Sequence, residues 1–132
     1  MTAFDTMKVF GVYLVVLGAT GMIAPNLVAG AIGLPSSHDV WSRVAAMLVF
    51  NLGLLYVWII RTRATAMIRF TVVTRLLVLG FLIAFVMAGL APINLIVFGV
   101  VDAAGGLWTE GALRRDERAL AQGARLAPEL IP

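Results

Sequence analysis

Four long apolar runs decide what this chain can fold into. They cover about residues 7–24, 40–60, 66–88 and 92–112 of 132. A helix needs about 20 predominantly apolar residues to cross the hydrocarbon core of a bilayer. In lipid, each backbone amide and carbonyl must be bonded within its own segment, so the runs are predicted to be helices. A membrane barrel would show alternating polarity over segments of about 10 residues, and no segment does. A soluble fold is disfavoured by the same residues. Hydrophobic residues make up 61% of the chain and charged ones 13%, against roughly 25% charged in soluble domains. A chain this short cannot enclose so much apolar surface. The expected architecture is all-α: one integral membrane domain, residues 1–132, built as a four-helix bundle with a tail at 113–132.

Prolines punctuate the runs. Pro25 closes the first and is well placed to open a new helix, so PNLVAGAIGL at 25–34 reads as a short interfacial helix or turn. Pro92, in GLAPIN, closes a tight turn and opens the fourth helix. The tail RRDERALAQGARLAPELIP is expected to extend that helix a few turns and to end it at Gly123 and Pro128. The stretch MTAFDTMK reads as the start of a retained span rather than a cleaved leader, because its lysine is balanced by an aspartate and the apolar run is long.

Basic residues set the expected orientation. Lys8 precedes the first span, Arg61, Arg63 and Arg69 flank the turn between the second and third, and Arg114, Arg115, Arg118 and Arg125 follow the fourth. With four spans all of these share one side, and only Arg43 lies on the other. The excess of Lys and Arg on cytoplasmic loops places both termini in the cytoplasm. Trp58 and Trp108 then mark the inner interface and Trp41 the outer one.

The chain has no cysteine and one histidine. Disulfides and thiolate chemistry are excluded. His38, in the polar loop PSSHD, reads as a solvated side chain, and no metal site is expected. The net charge of +3 does not point to nucleic acid, since the basic residues cluster at span ends. No phosphate-binding loop, Ser–His pair or nucleotide signature is present.

Chemistry is left to the few polar groups inside the spans. An ionisable residue at mid-membrane costs about 2.5–3.5 kcal/mol on insertion scales, faces the bundle interior and has a partner. Arg75 in the third run and Asp102 in the fourth are the clear cases, with Glu110 nearer the end. The turn joining those runs makes them antiparallel neighbours, so Arg75 falls between the depths of Asp102 and Glu110, within reach of either. Asp102, Gly106 and Glu110 lie within about 80° on one helix face, as do Arg43 and Asn51 on the second helix. Gly99, Gly105 and Thr109 flank the acidic face, where glycines admit close backbone approach. Tyr13 and Tyr56 can offer phenols, and Thr71, one turn from Arg75, can hydrogen-bond to it. Two readings follow. Arg75 and Asp102 lock two helices together, with Glu110 beside Arg114 near water and Asn51 packing against another helix. Alternatively, Arg75 and Asp102 form an acid–base pair in a polar pocket completed by Asn51, Arg43, Glu110, Tyr56, Thr71 and Thr109. Such a pocket suits a lipophilic molecule with one polar end, such as a quinone, sterol or terpenoid.

The layout resembles the DoxX-like group of small bacterial four-helix membrane proteins. The likeness rests on the glycine-bearing first run closed by Pro25, GLP at 33–35, WSRVAAMLVFNLGLLYV at 41–57, Arg75, and VVDAAGGLWT at 100–109. It covers most of residues 8–115. The resemblance implies a bacterial inner membrane and, from members that are subunits of quinone-linked oxidoreductases, a quinone or an enzyme partner. It transfers no catalytic residue, and the cysteine-based redox features of some relatives are missing, which counts against a redox role. The expected role is an accessory or binding subunit in the lipid bilayer that assembles through glycine-rich helix faces, as a homo-oligomer or with a membrane enzyme, and holds a lipophilic small molecule. The alternatives are a membrane-embedded isomerase, cyclase or quinone-linked subunit using Asp102 and Arg75, and a small transporter.

Overall fold

A computed structural model describes residues 1–36 and 38–126. The chain is 86% helical and has no strands among the described residues. Its elements are α1 (Ala3–Ile23), α2 (Pro25–Ala31), α3 (Val40–Thr62), α4 (Thr65–Met87), a 3₁₀ turn (Ile93–Leu95) and α5 (Ile96–Leu126). Four helical segments are long and apolar enough to cross a membrane: α1, α3, α4, and the 3₁₀ turn continuing into α5.

Caps explain where the helices begin. α1 starts at Ala3, four residues before the apolar run, because Thr2 and Asp5 form a reciprocal capping box. Thr2 Oγ1 accepts from the Asp5 amide at 3.3 Å, and Asp5 Oδ2 accepts from the Thr2 amide at 2.8 Å. That motif satisfies two of the orphan donors at a helix start, so α1 extends past the point where hydropathy falls. Asp39 caps α3 by accepting from the Trp41 amide at 3.1 Å. Pro25 opens α2 as expected.

Helix ends are set by backbone handedness. Gly33 and Gly89 both have φ +72°, a left-handed conformation that glycine adopts without steric cost. Arg63 ends α3 at φ 53°, unusual for a residue with a Cβ, and its guanidinium sits 4.9 Å from the Phe4 ring centroid. The helix does not end at Gly123, contrary to the sequence expectation: α5 runs through it to Leu126. One glycine costs a helix about 1 kcal/mol, too little to stop a segment rich in Ala, Leu and Arg. Pro128 lies outside the described residues.

The bundle consists of two tightly packed pairs, α1 with α3 and α4 with α5, joined where α1 meets α5. Small residues make the first pair close. A Cβ on Gly18 would stand 2.5 Å from the Phe50 backbone nitrogen, and one on Gly53 2.9 Å from that of Val15. Gly21 faces Ala46 in the same seam. In the second pair Gly99 faces Leu79, with a notional Cβ 2.9 Å from its Cα. These glycines are used within the chain. α3 and α4, although joined by a tight turn, barely touch.

The core is concentrated at the end that carries the N-terminus. Met7, Tyr56, Ile59, Ile68, Ala112 and Leu113 are buried there. The Ala3 amide donates to Asp116 Oδ2 at 2.9 Å, which ties the start of α1 to the extension of α5. Toward the opposite end each pair stays tightly packed but a cavity lies between the two pairs, and α2 closes its top. Asn94 holds that closure by donating from Nδ2 to the carbonyls of Ile32 at 2.9 Å and Gly33 at 3.2 Å.

Candidate functional site

Arg75 stands near the middle of α4 and is buried, with 3% of its surface exposed. Space for it is made from three sides. On α5, Gly105 and Gly106 leave room, since their notional Cβ atoms would lie 3.4 Å from Arg75 Nη1 and Cβ respectively. On α1 the Phe10 ring lies flat enough to take the guanidinium carbon 3.7 Å from its centroid. On α3 the Tyr56 ring lies at 4.9 Å. Aromatic faces attract a desolvated cation by about 2 kcal/mol or more, which offsets part of the cost of burial.

Hydrogen bonds fix the guanidinium in place. Nε donates to the Tyr56 hydroxyl at 2.9 Å, and Nη1 donates to Thr109 Oγ1 at 3.3 Å. Thr109 in turn donates to the Gly105 carbonyl at 2.9 Å and lies 3.1 Å from Thr6 Oγ1. All four long helices therefore meet on this buried cation, which α4 carries. Nη2 is buried and has no acceptor among the described residues.

This differs from the expected Arg75–Asp102 pair. Among the described residues the ion pairs are Arg69–Glu117 and Arg114–Glu110, and Asp102 is in neither. Arg75 Nε and Nη1 bond to hydroxyls instead, because Tyr56 and Thr109 lie within their reach. Glu110 is held at 2.7 Å by Arg114 Nε, one turn along α5, as the packing reading expected. Thr71 does not bond to Arg75; its hydroxyl donates to the Ile68 carbonyl of its own helix at 2.7 Å.

Asp102 is half-buried and lines two cavities. The smaller, about 190 Å³, is the fissure left where α3 and α4 separate. Its walls include Phe10, Tyr56, Thr71 and Arg75, and the exposed Leu52, Leu55 and Phe70 carry it to the outside of the bundle. The larger, about 480 Å³, lies between the two pairs under α2. It is walled by apolar side chains such as Leu17, Val49, Leu82 and Phe98, and roofed by Val28 and Ile32. Its side-chain polar groups are Asp102, Tyr13 and Ser42. Leu52, Val78 and Asp102 belong to both linings, so the aspartate stands where the fissure meets the chamber.

The expected pocket is thus rearranged. Asp102, Arg75, Tyr56 and Thr71 line cavities, and Thr109 serves behind Arg75. Arg43, Asn51 and Glu110 line neither cavity. Arg43 is turned to the end of α1, where its Nη1 donates to the Met22 carbonyl, and Asn51 is on the exposed side of α3. Shared faces on one helix do not tell which neighbour that face meets, and α3 turns its glycine face to α1. Phe10, Thr6 and Ser42 were not legible as site residues. Phe10 looks like core in sequence, and only its distance from Arg75 reveals its role. No protein-family model, curated protein or solved structure matches this chain.

Proposed function

We propose that this chain is a multi-pass membrane protein that holds a lipophilic molecule with one polar end, acting as a binding or accessory subunit. The observation that carries the proposal is the chamber of about 480 Å³ under α2, apolar except for Asp102, Tyr13 and Ser42. Small-molecule sites are typically ~300–1,000 Å³, mostly apolar, with a few placed polar groups. A quinone, sterol or terpenoid fits that description, its ring or tail in the chamber and its oxygen at Asp102. The fissure between α3 and α4 gives such a molecule a lateral route from the lipid. Arg75, held rigidly by Tyr56, Thr109 and Phe10, supplies a fixed positive charge beside the route.

The orientation is part of the same proposal: the excess of basic residues at the termini end favours the cytoplasm for that end, with α2 at the outer interface. A bacterial inner membrane and kinship with the DoxX-like group belong to the same proposal and rest on the sequence layout.

Thermal unfolding of the full chain in nanodiscs, with and without a neutral-lipid extract, tests the binding. A ligand at 100 times its dissociation constant stabilises by about 2.7 kcal/mol. The unsubstituted protein is expected to gain stability from the extract. Ala29→Phe, which fills the chamber from its roof, loses that gain, and Asp102→Asn reduces it. An identical response in all three proteins refutes a ligand in the chamber.

A further inference from the structure

Asn51 is the twelfth of the 23 residues of α3 and therefore its midpoint. At 1.5 Å per residue it lies roughly 16 Å from either end, the deepest point a spanning helix offers. It is exposed, and its side chain makes no hydrogen bond with any described residue. Around the helix it stands about 160° from Gly53, at 100° per residue. Gly53 faces α1, so Asn51 points away from the bundle. A carboxamide carries two donors and an acceptor. Facing hydrocarbon, it has nothing to bond to, and an unsatisfied polar group there costs several kcal/mol.

The residues around it repeat every seven. Val44, Asn51 and Trp58 are seven apart, as are Met47 and Leu54. Met47, Leu54 and Trp58 are exposed, and Val44 is partly so. This is the a and d pattern of a left-handed helix pair, with asparagine at the central a position. A single asparagine at such a position fixes register and oligomeric state, and in membranes such side chains bond across helices.

We propose that the outward face of α3 is the interface with a second copy of this chain, with Asn51 bonded to Asn51 of that copy. The amide is self-complementary: each donates to the other's carbonyl oxygen across a two-fold axis. Copies inserted the same way round bring their α3 midpoints to the same depth, so the two amides meet without a shift of either helix. The apolar positions alone would accept any helix or lipid. The central amide selects a partner carrying an amide at the same height, and the second copy always does. The chamber's α3 walls Ser42, Ala46 and Val49 lie on the other side of α3, while the fissure, lined by Leu52 and Leu55, flanks this interface.

The chain has no cysteine, so single-cysteine variants report contacts without background. In native membranes, Met47→Cys and Leu54→Cys are expected to give dimeric disulfides on oxidation, whereas Phe81→Cys, on the exposed surface of α4, is not. By two-colour energy transfer in dilute liposomes, Asn51→Leu weakens dimerisation by about 5- to 30-fold, from the model-peptide value for such bonds. Asn51→Gln, which keeps the amide, retains most of it. The side chain faces outward, so Asn51→Leu leaves the fold intact, checked by its circular dichroism and melting. A monomer at all densities overturns the proposal. So does a dimer that Asn51→Leu does not weaken, a cross-link at Phe81→Cys in place of the α3 positions, or cross-linking of α3 to a different protein.

Discussion

Arg75 is the residue on which the fold turns. It is a buried cation whose partners are hydroxyls and rings rather than a carboxylate. Removing one of those partners leaves a charged donor unsatisfied, which costs about 1–3 kcal/mol or more. Tyr56→Phe is therefore expected to lower the melting temperature of the detergent-solubilised protein clearly. Tyr13→Phe is expected to change it little without ligand, since the Tyr13 hydroxyl has no hydrogen-bond partner among the described residues. Equal effects of the two would show that the Arg75 network does not hold the helices. At this scale the sequence singled out Arg75 and Asp102, because ionisable groups in apolar runs are rare. It did not announce their partners. Reach along a helix is legible in sequence, but the rotation of each helix about its own axis is not. That rotation is what put Tyr56 and Thr109 on Arg75 and turned Asn51 outward.

At the scale of the helix, the glycines divide into two kinds. Gly18 and Gly53 sit where backbones meet, and Gly111 has open space around its notional Cβ. Gly18→Ala must push α1 from α3, since the new carbon would meet backbone at 2.5 Å, and overpacking of this kind costs about 1–3 kcal/mol. Gly111→Ala meets nothing and is expected to stabilise α5 by about 0.5–1 kcal/mol, because glycine loses more freedom in a helix than alanine. Thermal or denaturant unfolding of the two variants distinguishes them by sign. Gly33→Ala, at φ +72° with Asn94 Nδ2 3.0 Å from its notional Cβ, is expected to loosen the roof formed by α2. Helix positions were legible to within a few residues because length and hydropathy mark them. The early start of α1 was missed because the capping box of Thr2 and Asp5 is polar and falls before the apolar run. Continuation through Gly123 was missed because a breaker residue was weighed without the helix formers around it.

At the scale of the molecule, the four apolar segments and the layout of the charges were legible, and the cavity was not. Nothing in the sequence states that α3 and α4, joined by so short a turn, should part. They part because the glycines of α1 draw α3 to it, and those of α5 draw it to α4, leaving the space between the pairs to Asp102. Orientation belongs to this scale as well. Membrane-impermeant labelling of single-cysteine variants in inside-out and right-side-out vesicles is expected to reach Arg118→Cys from the cytoplasmic face only and His38→Cys from the opposite face only. The reverse pattern would invert the proposed topology.

Native mass spectrometry of the protein released gently from its own membranes reads the occupant of the chamber. A defined extra mass, that of a lipophilic molecule, is expected on the unsubstituted protein. That mass is lost in Ala29→Phe and weakened in Asp102→Asn while the protein's oligomeric state is unchanged. A bare protein, or an adduct that both variants retain in full, would contradict a ligand in the chamber.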